Sequence, residues 1–321
     1  MRPTRRLIVG IAVGLLMVMR PAIAQDYPNK PIHFVVPYSA GSPPDVVTRA
    51  MALAMSNILG QATIVDNKPG ADTIIGFEYV AKNAPADGYT VVISPLANLA
   101  LLPVIAKDLR FDPLTDLPPF ITFAEGRLAF GTPVLNPWKS FQELTSAVKA
   151  NPGKWNYGSP SVQLRFPMLI LMQNLGFDLT YVPYATVAPY YISLTVNDVQ
   201  MGWLSEGSAA NMRDKFRVLA VTGDTPSAAF PEVPTFGKLG FPQMPSNIFA
   251  FSVRKGTPKA VTDKLNAAAA KALLQPDIRA KLAASQFEVA SDTTPQAAEE
   301  RLNAISKLFS DVAKKSGIKP Q

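Results

Sequence analysis

Two Ser-x-x-Lys stretches, Ser146-Ala-Val-Lys149 and Ser252-Val-Arg-Lys255, have the spacing at which a lysine can activate a serine nucleophile. The companion signatures of that chemistry, Ser-Asp-Asn and Lys-Thr-Gly, are absent from the chain, and so loose a pattern recurs by chance. A Ser-His-Asp triad would have to use His33, the single histidine, which lies in the strand-like run IHFVV. With no cysteine, disulfides, thiol nucleophiles, iron–sulfur clusters and Cys/His zinc sites are excluded. The carboxylates Asp66, Asp87 and Asp116 stand mostly beside Gly, Pro or Asn, as turn formers do. No acid–base pair can be assigned, so we expect a protein that is not an enzyme and needs neither cofactor nor metal.

A different chemistry is offered by Pro37 to Ala50, PYSAGSPPDVVTRA. Ser42 precedes a proline, which pushes it to the extended geometry of a helix N-cap. Pro43 and Pro44 then occupy the first helical positions, where missing N–H groups cost little. Asp45 stands three residues past Ser42, as in a capping box. Strand, tight glycine turn and helix N-terminus therefore follow one another, with Val47, Met51, Ala54 and Ile58 on the buried helix face. In open α/β sheets that is where ligands bind, and a helix N-terminus favours anions. Neither a Walker loop nor a dinucleotide fingerprint is present.

The elements that must position this turn alternate along the chain. Strands are expected at Ile32–Val36, Thr63–Val65, Tyr89–Ser94, Arg127–Phe130, Trp155–Tyr157, Val199–Leu204, Phe216–Thr222 and Ile248–Val253. Helical patterns fall at about 45–59, 75–83, 140–150, 163–175 and 187–196, an α/β arrangement. Thr257-Pro258 and Thr294-Pro295 read as N-caps followed by proline, and Pro276 opens a short helix. The last helix runs from Pro295 to about Lys315, with Leu302, Ile305, Leu308, Phe309 and Val312 as an apolar stripe.

Residues 1–24 stand apart: three early arginines, an apolar run from Leu7 to Met19, then Ala22-Ile23-Ala24. That run is shorter than the roughly 20 residues a bilayer span needs, so a removable signal peptide is expected. Arg5-Arg6 leaves twin-arginine export open beside the general route. Without this segment the net charge of +7 falls to +3, too mild for a nucleic-acid footprint. An exported, cysteine-free chain of this size suits the periplasm, where a large core makes disulfides unnecessary.

The runs PYSAGSPPD, LGQATIVDNKPGADTIIG and VAKNAPADGYTVVIS, followed by WNYGSPS, LTYVPYA, NDVQMGW, RVLAVTGDTP, FPEVPTFGKLGFP and KGTPKAVTDKLNAAAAKAL, carry a specific resemblance. Across 27–321 the chain resembles the tripartite tricarboxylate transporter solute receptors, the Bug family. The resemblance implies a two-lobed periplasmic-binding-protein (Venus flytrap) fold, each lobe a mostly parallel sheet flanked by helices. Lobe one would be 27–124 plus 246–321 and lobe two 125–245. It implies a monomer that captures a small-molecule carboxylate, mainly through backbone amides and water, and serves membrane permease subunits.

Carried over by position, the ligand-binding residues on lobe one are Tyr38, Ser39, Ala40, Gly41, Ser42, Asp45, Ser94, Ala97 and Asn98. On lobe two they are Gly158, Ser159, Ser161, Tyr184, Ala185, Thr186, Trp203 and Ser205. The chain departs from the family at several of these. Pro43-Pro44 deletes two amide donors, VPYAT stands where VPYKG is usual, and Trp203-Leu204 stands where Phe-Asp is usual. These departures suggest a less charged, more apolar pocket, with an aromatic or hydrophobic carboxylate set against Tyr38, Phe77, Tyr190 and Trp203. The competing reading of those aromatics is core filling. A sensor feeding a membrane kinase would share the same lobes, and a serine–lysine hydrolase is the remaining alternative.

Overall fold

The computed structural model describes residues 27–320 apart from Asp224. The expected signal segment lies outside the described residues. In chain order the elements are β1 (Ile32–Val36), α1 (Pro43–Leu59), β2 (Thr63–Asn67), α2 (Ile74–Glu78), β3 (Thr90–Pro95), α3 (Leu96–Ile105), β4 (Pro119–Gly126) and β5 (Leu128–Pro133). There follow α4 (Phe141–Ala150), β6 (Trp155–Ser159), α5 (Val162–Leu175), β7 (Leu179–Pro183), α6 (Val187–Thr195), β8 (Gly202–Ser205), α7 (Glu206–Asn211) and β9 (Phe216–Val221). The chain closes with β10 (Asn247–Val253), α8 (Lys259–Leu273), α9 (Pro276–Ala284), β11 (Glu288–Val289) and α10 (Pro295–Lys315).

Six strands form one sheet in the order β11-β4-β10-β3-β1-β2. β1 pairs in parallel with β2 and β3, whereas β10 runs antiparallel to both β3 and β4. The sheet is thus mixed where mostly parallel pairing was expected. The reason is the return of β10 after the excursion through residues 128–221, which inserts it between β3 and β4 from the opposite direction. That excursion builds an antiparallel sheet, β8-β5-β9, and a parallel pair, β6-β7. An isolated parallel bridge between Tyr157 and Met201 joins the two.

Each sheet has its own apolar core. Phe34, Phe120, Phe123 and Phe251 stack within the large sheet beneath α1 and α8. Phe130, Trp203, Phe236 and Phe141 interlock in the other. The apolar stripe of α10 joins the second of these cores, which continues onto β3 and α3. Leu302 and Ile305 lie in the core that covers β3 and α3, while Phe309 packs on Phe166 of α5 at 4.7 Å. Thr294 caps α10 by accepting from the Ala297 N–H, as its sequence implies. At α8 the cap falls instead on Pro258, because the Thr257 hydroxyl turns back to the Arg254 carbonyl.

The strand β4 carries no periodic signal, since nearly every residue of it is buried whatever its parity, and the first seven residues of α3, Asn98 apart, are apolar and buried on all sides. Between β4 and β5 stands Arg127, 5% exposed. Its guanidinium grips both Glu288 oxygens (3.2 and 2.9 Å) on one side and the Thr222 and Thr225 carbonyls on the other. A cavity of about 190 Å³ opens behind this crossover, lined among others by Glu125, Met244, Ser246 and Arg301.

Candidate functional site

The turn after β1 is built as its residues require, with one difference. The Ser42 N–H donates to the Ser39 carbonyl (3.2 Å), and Gly41 sits at the third position of this turn with φ +80°. Ser42 holds N-cap geometry (φ −68°, ψ 155°), yet its hydroxyl accepts nothing from the helix and is buried without a partner. Asp45 does not close a capping box on Ser42, whose N–H is already spent in the turn. Its Oδ2 reaches one residue further back and accepts from the Gly41 N–H at 2.8 Å.

Asp45 is 1% exposed, and three donors from the chain converge on its carboxylate. Oδ2 also accepts from Arg49 Nε (3.0 Å) and Oδ1 from Asn67 Nδ2 (2.8 Å). The same Asn67 amide reaches the Tyr38 carbonyl at 3.0 Å. Burial pushes the Asp45 carboxyl up, but the bonds from Arg49, Gly41 and Asn67, with the Arg49 charge, outweigh it and hold the group below 3.8. Asp45, expected among the ligand contacts, is therefore the anchor of the loop that Tyr38 to Ser42 form.

Gly41 is exposed, and a Cβ there would meet nothing within 4 Å, so only its left-handed backbone resists substitution. Gly41→Val forces that turn to open, at a cost of about 1–2 kcal/mol if the backbone held. We expect a nearly unchanged melting temperature and no stabilisation by ligands that stabilise the parent. A variant that still responds to them would remove this loop from the site.

Neighbouring strand ends bring other segments to the same edge. Because β1 and β3 are parallel, Ser94 at the end of β3, with Ala97 and Asn98 just past it, lies beside the Tyr38 loop. Ser94 and Ala97 are buried, so α3 offers backbone there: its first-turn N–H groups, at Leu96 to Asn98, have no intrahelical partner. In β6 and β7, Ser159 pairs with Pro183, which sets Ser159–Ser161 beside Tyr184–Thr186. Ser161 and Ser205 cap α5 and α7, accepting from the Leu164 and Ser208 N–H groups. Ala185 and Thr186 are exposed; Gly158 is buried because a Cβ would strike Tyr184 and Tyr190 (2.8 and 3.0 Å).

Two of these segments, at Asn98 and at Ser161, meet across a gap. A small cavity of about 40 Å³ is lined by Asp72, Asn98 and Leu101 on one side and by Ser161 and Gln163 on the other. The Gln163 amide also bonds Asn247 Oδ1 at 3.3 Å.

The aromatic lining expected for this cleft is a correction. Phe77 and Tyr190 are wholly buried and Trp203 is 1% exposed. Trp203 packs between Phe130 and Phe236, each at 5.1 Å, and the Tyr190 hydroxyl donates to the Trp203 carbonyl at 3.0 Å. Strand parity turns position 203 toward the core, where an indole gains most from burial. Only Tyr38 stands half-exposed at the cleft. Burial raises its phenol well above the usual range, and the negative charge of Asp72 adds to the rise.

Asp72 is the residue that sequence reasoning missed, for GADT reads as a plain turn. Ala71, Asp72 and Thr73 all take positive φ (45°, 49° and 80°), a run that L-residues avoid at roughly 1–2 kcal/mol each. No cation is bonded to the Asp72 carboxylate among the described residues. The Ser-x-x-Lys stretches lead nowhere: Ser252 is fully buried while Lys255 is exposed, and Ser146 lies on the solvent face of α4. His33 pairs with Asp66 at 2.8 Å on the surface of the sheet.

Comparison with known proteins agrees with this geometry. Residues 47–314 match the family described as tripartite tricarboxylate transporter family receptor. The chain is 32% identical over 310 residues to the "UPF0065 protein in gbd 5'region" of Cupriavidus necator, covering 92% of this chain and 90% of that one. A TctC solute binding protein from Polaromonas superposes with a TM-score of 0.78 at 26% identity, over 90% of this chain and 99% of the other. The R. palustris protein Rpa4515, solved with adipate, gives a TM-score of 0.73 at 26% identity over 92% and 100%. Two lobes of α/β structure, a cleft edged by helix N-termini and these similarities agree: the chain belongs to the tripartite tricarboxylate transporter receptor family, whose fold is that of solute-binding receptors.

Proposed function

We propose that the protein is an exported receptor that captures a small organic carboxylate between lobe one, 27–124 with 246–321, and lobe two, 125–245. It then serves membrane permease subunits from the periplasm as a monomer. The observation that carries this reading is the opposition of two helix N-termini across one cavity: Asn98 in the first turn of α3 on one side, Ser161 and Gln163 at the start of α5 on the other. First-turn N–H groups and the positive ends of the helix dipoles are ready-made for an anion. The adipate in the R. palustris relative supports a carboxylate as that anion. No helix of the described residues is long and apolar enough to cross a membrane, which fits a receptor that meets its permease from outside the bilayer.

Ligand contacts to both lobes would favour the closed arrangement over the open one. The test is thermal unfolding of residues 25–321 against a panel of mono-, di- and tricarboxylates. A ligand at 100 times its Kd adds about 2.7 kcal/mol, or about 5–10 °C for a chain of this size. A selective shift supports the receptor reading; no shift with any carboxylate overturns it.

A further inference from the structure

We infer that the cleft selects carboxylates that also carry an ammonium group, and that Asp72 with Asn98 receives it. This rests on the receptor reading and narrows its ligand class.

The argument is one of unmet acceptors. The Thr73 hydroxyl donates its proton to the Asp72 carbonyl, so its oxygen can only accept from Asn98 Nδ2, 3.5 Å away. That fixes the Asn98 amide with Oδ1 turned from Thr73, and this oxygen is buried without a hydrogen-bond partner. Asn98 and Asp72 line the same small cavity between the lobes. Asp72, itself exposed, brings a carboxylate to it, and no lysine or arginine pairs with that carboxylate among the described residues. Across the cavity, one of the two N–H groups of the Gln163 amide is bonded to Asn247 Oδ1.

An amine-free carboxylate is poorly matched to this corner. It would bring a second anion beside Asp72 and no donor for Asn98. An ammonium group supplies three N–H donors and the missing positive charge. The ligand carboxylate then keeps to the helix N-termini while its ammonium sits at Asp72. The backbone supports the assignment: Ala71 to Thr73 hold a strained left-handed run that fixes Asp72 at the cleft edge, and such strain gathers at ligand sites.

The experiment is calorimetric titration of residues 25–321 with matched pairs differing only in the amine: glutamate against glutarate, 4-aminobutyrate against butyrate, and alanine against propionate. In at least one pair the ammonium-bearing member binds about ten-fold tighter or better, what one charge-assisted hydrogen bond supplies. Asp72→Asn, a residue that tolerates left-handed φ, brings that pair to near equality. Amine-free members that bind as well as or better than their partners overturn the inference and leave the receptor reading standing. So does a preference that survives Asp72→Asn. Absence of binding by every member overturns the inference, and the receptor reading falls with it only if the wider carboxylate panel also gives no shift.

Discussion

Arg127→Met should be the most destabilising change at the crossover between the sheets, lowering stability by about 3 kcal/mol. Arg127 is nearly sealed from water, and its guanidinium makes five bonds: two to Glu288, two to the Thr222 and Thr225 carbonyls and one to the Thr225 hydroxyl. Methionine fills similar volume and returns none of them. Breaking a buried ion pair costs about 3–5 kcal/mol. Glu288, half-exposed, regains water when freed, which puts the cost at the low end. The Thr222 carbonyl does not recover so easily, since Thr222 is wholly buried. A loss of this size moves the melting temperature by about 6–12 °C. Glu288→Gln should cost under about 1 kcal/mol, because the amide oxygen still accepts and the group is near water. Chemical denaturation of both variants checks the ratio. Equal losses would mean that the charge pair, not the carbonyl grip, holds the crossover.

Asp45→Ala should remove ligand binding and cost about 2–3 kcal/mol of stability together. Three donors converge on this carboxylate, and alanine leaves the Gly41 N–H, the Asn67 amide and the Arg49 guanidinium without it. The Tyr38–Ser42 turn then loses its anchor, so the effect on binding is indirect and passes through loop position. The pH dependence has a definite sign. The folded-state pKa of Asp45 lies below its ordinary 3.8, so folding favours the ionised form. Its contribution is therefore complete above the unfolded-state value and is lost as pH falls through the lower folded one. Melting temperatures of the parent and Asp45→Asn should differ by a constant amount near neutrality and converge below about pH 3.8. Parallel curves through that window would show that the carboxylate is not held ionised by the fold.

Much of this architecture is legible in the residues themselves, for local reasons. A proline after Ser42 and after Thr294 places two helix starts, and Gly41 marks the turn that needs positive φ. Helices such as α4 and α10 show themselves because one face is wet and one dry. What has no wet face leaves no pattern. The strand β4 is buried almost throughout, as is most of the first half of the helix α3, so their sequences alternate in nothing.

The site divides along the same line. Backbone donors at strand ends could be placed by position, because a turn and a cap are properties of a few adjacent residues. Side-chain direction could not. Whether Trp203 faces ligand or core depends on the strand's parity against Phe130 and Phe236, and the structure turns it inward. Whether Asp45 meets a ligand depends on Asn67 and Arg49 filling its lone pairs. Asp72 reads as a turn residue until the packing of two lobes sets it opposite Ser161 with Asn98 beside it. The sequence by itself determined the fold class and the family, through short-range propensity and recurring motifs. Tertiary structure alone decided which side chains enter the cleft, because burial and unmet hydrogen bonds arise only between residues distant in the chain.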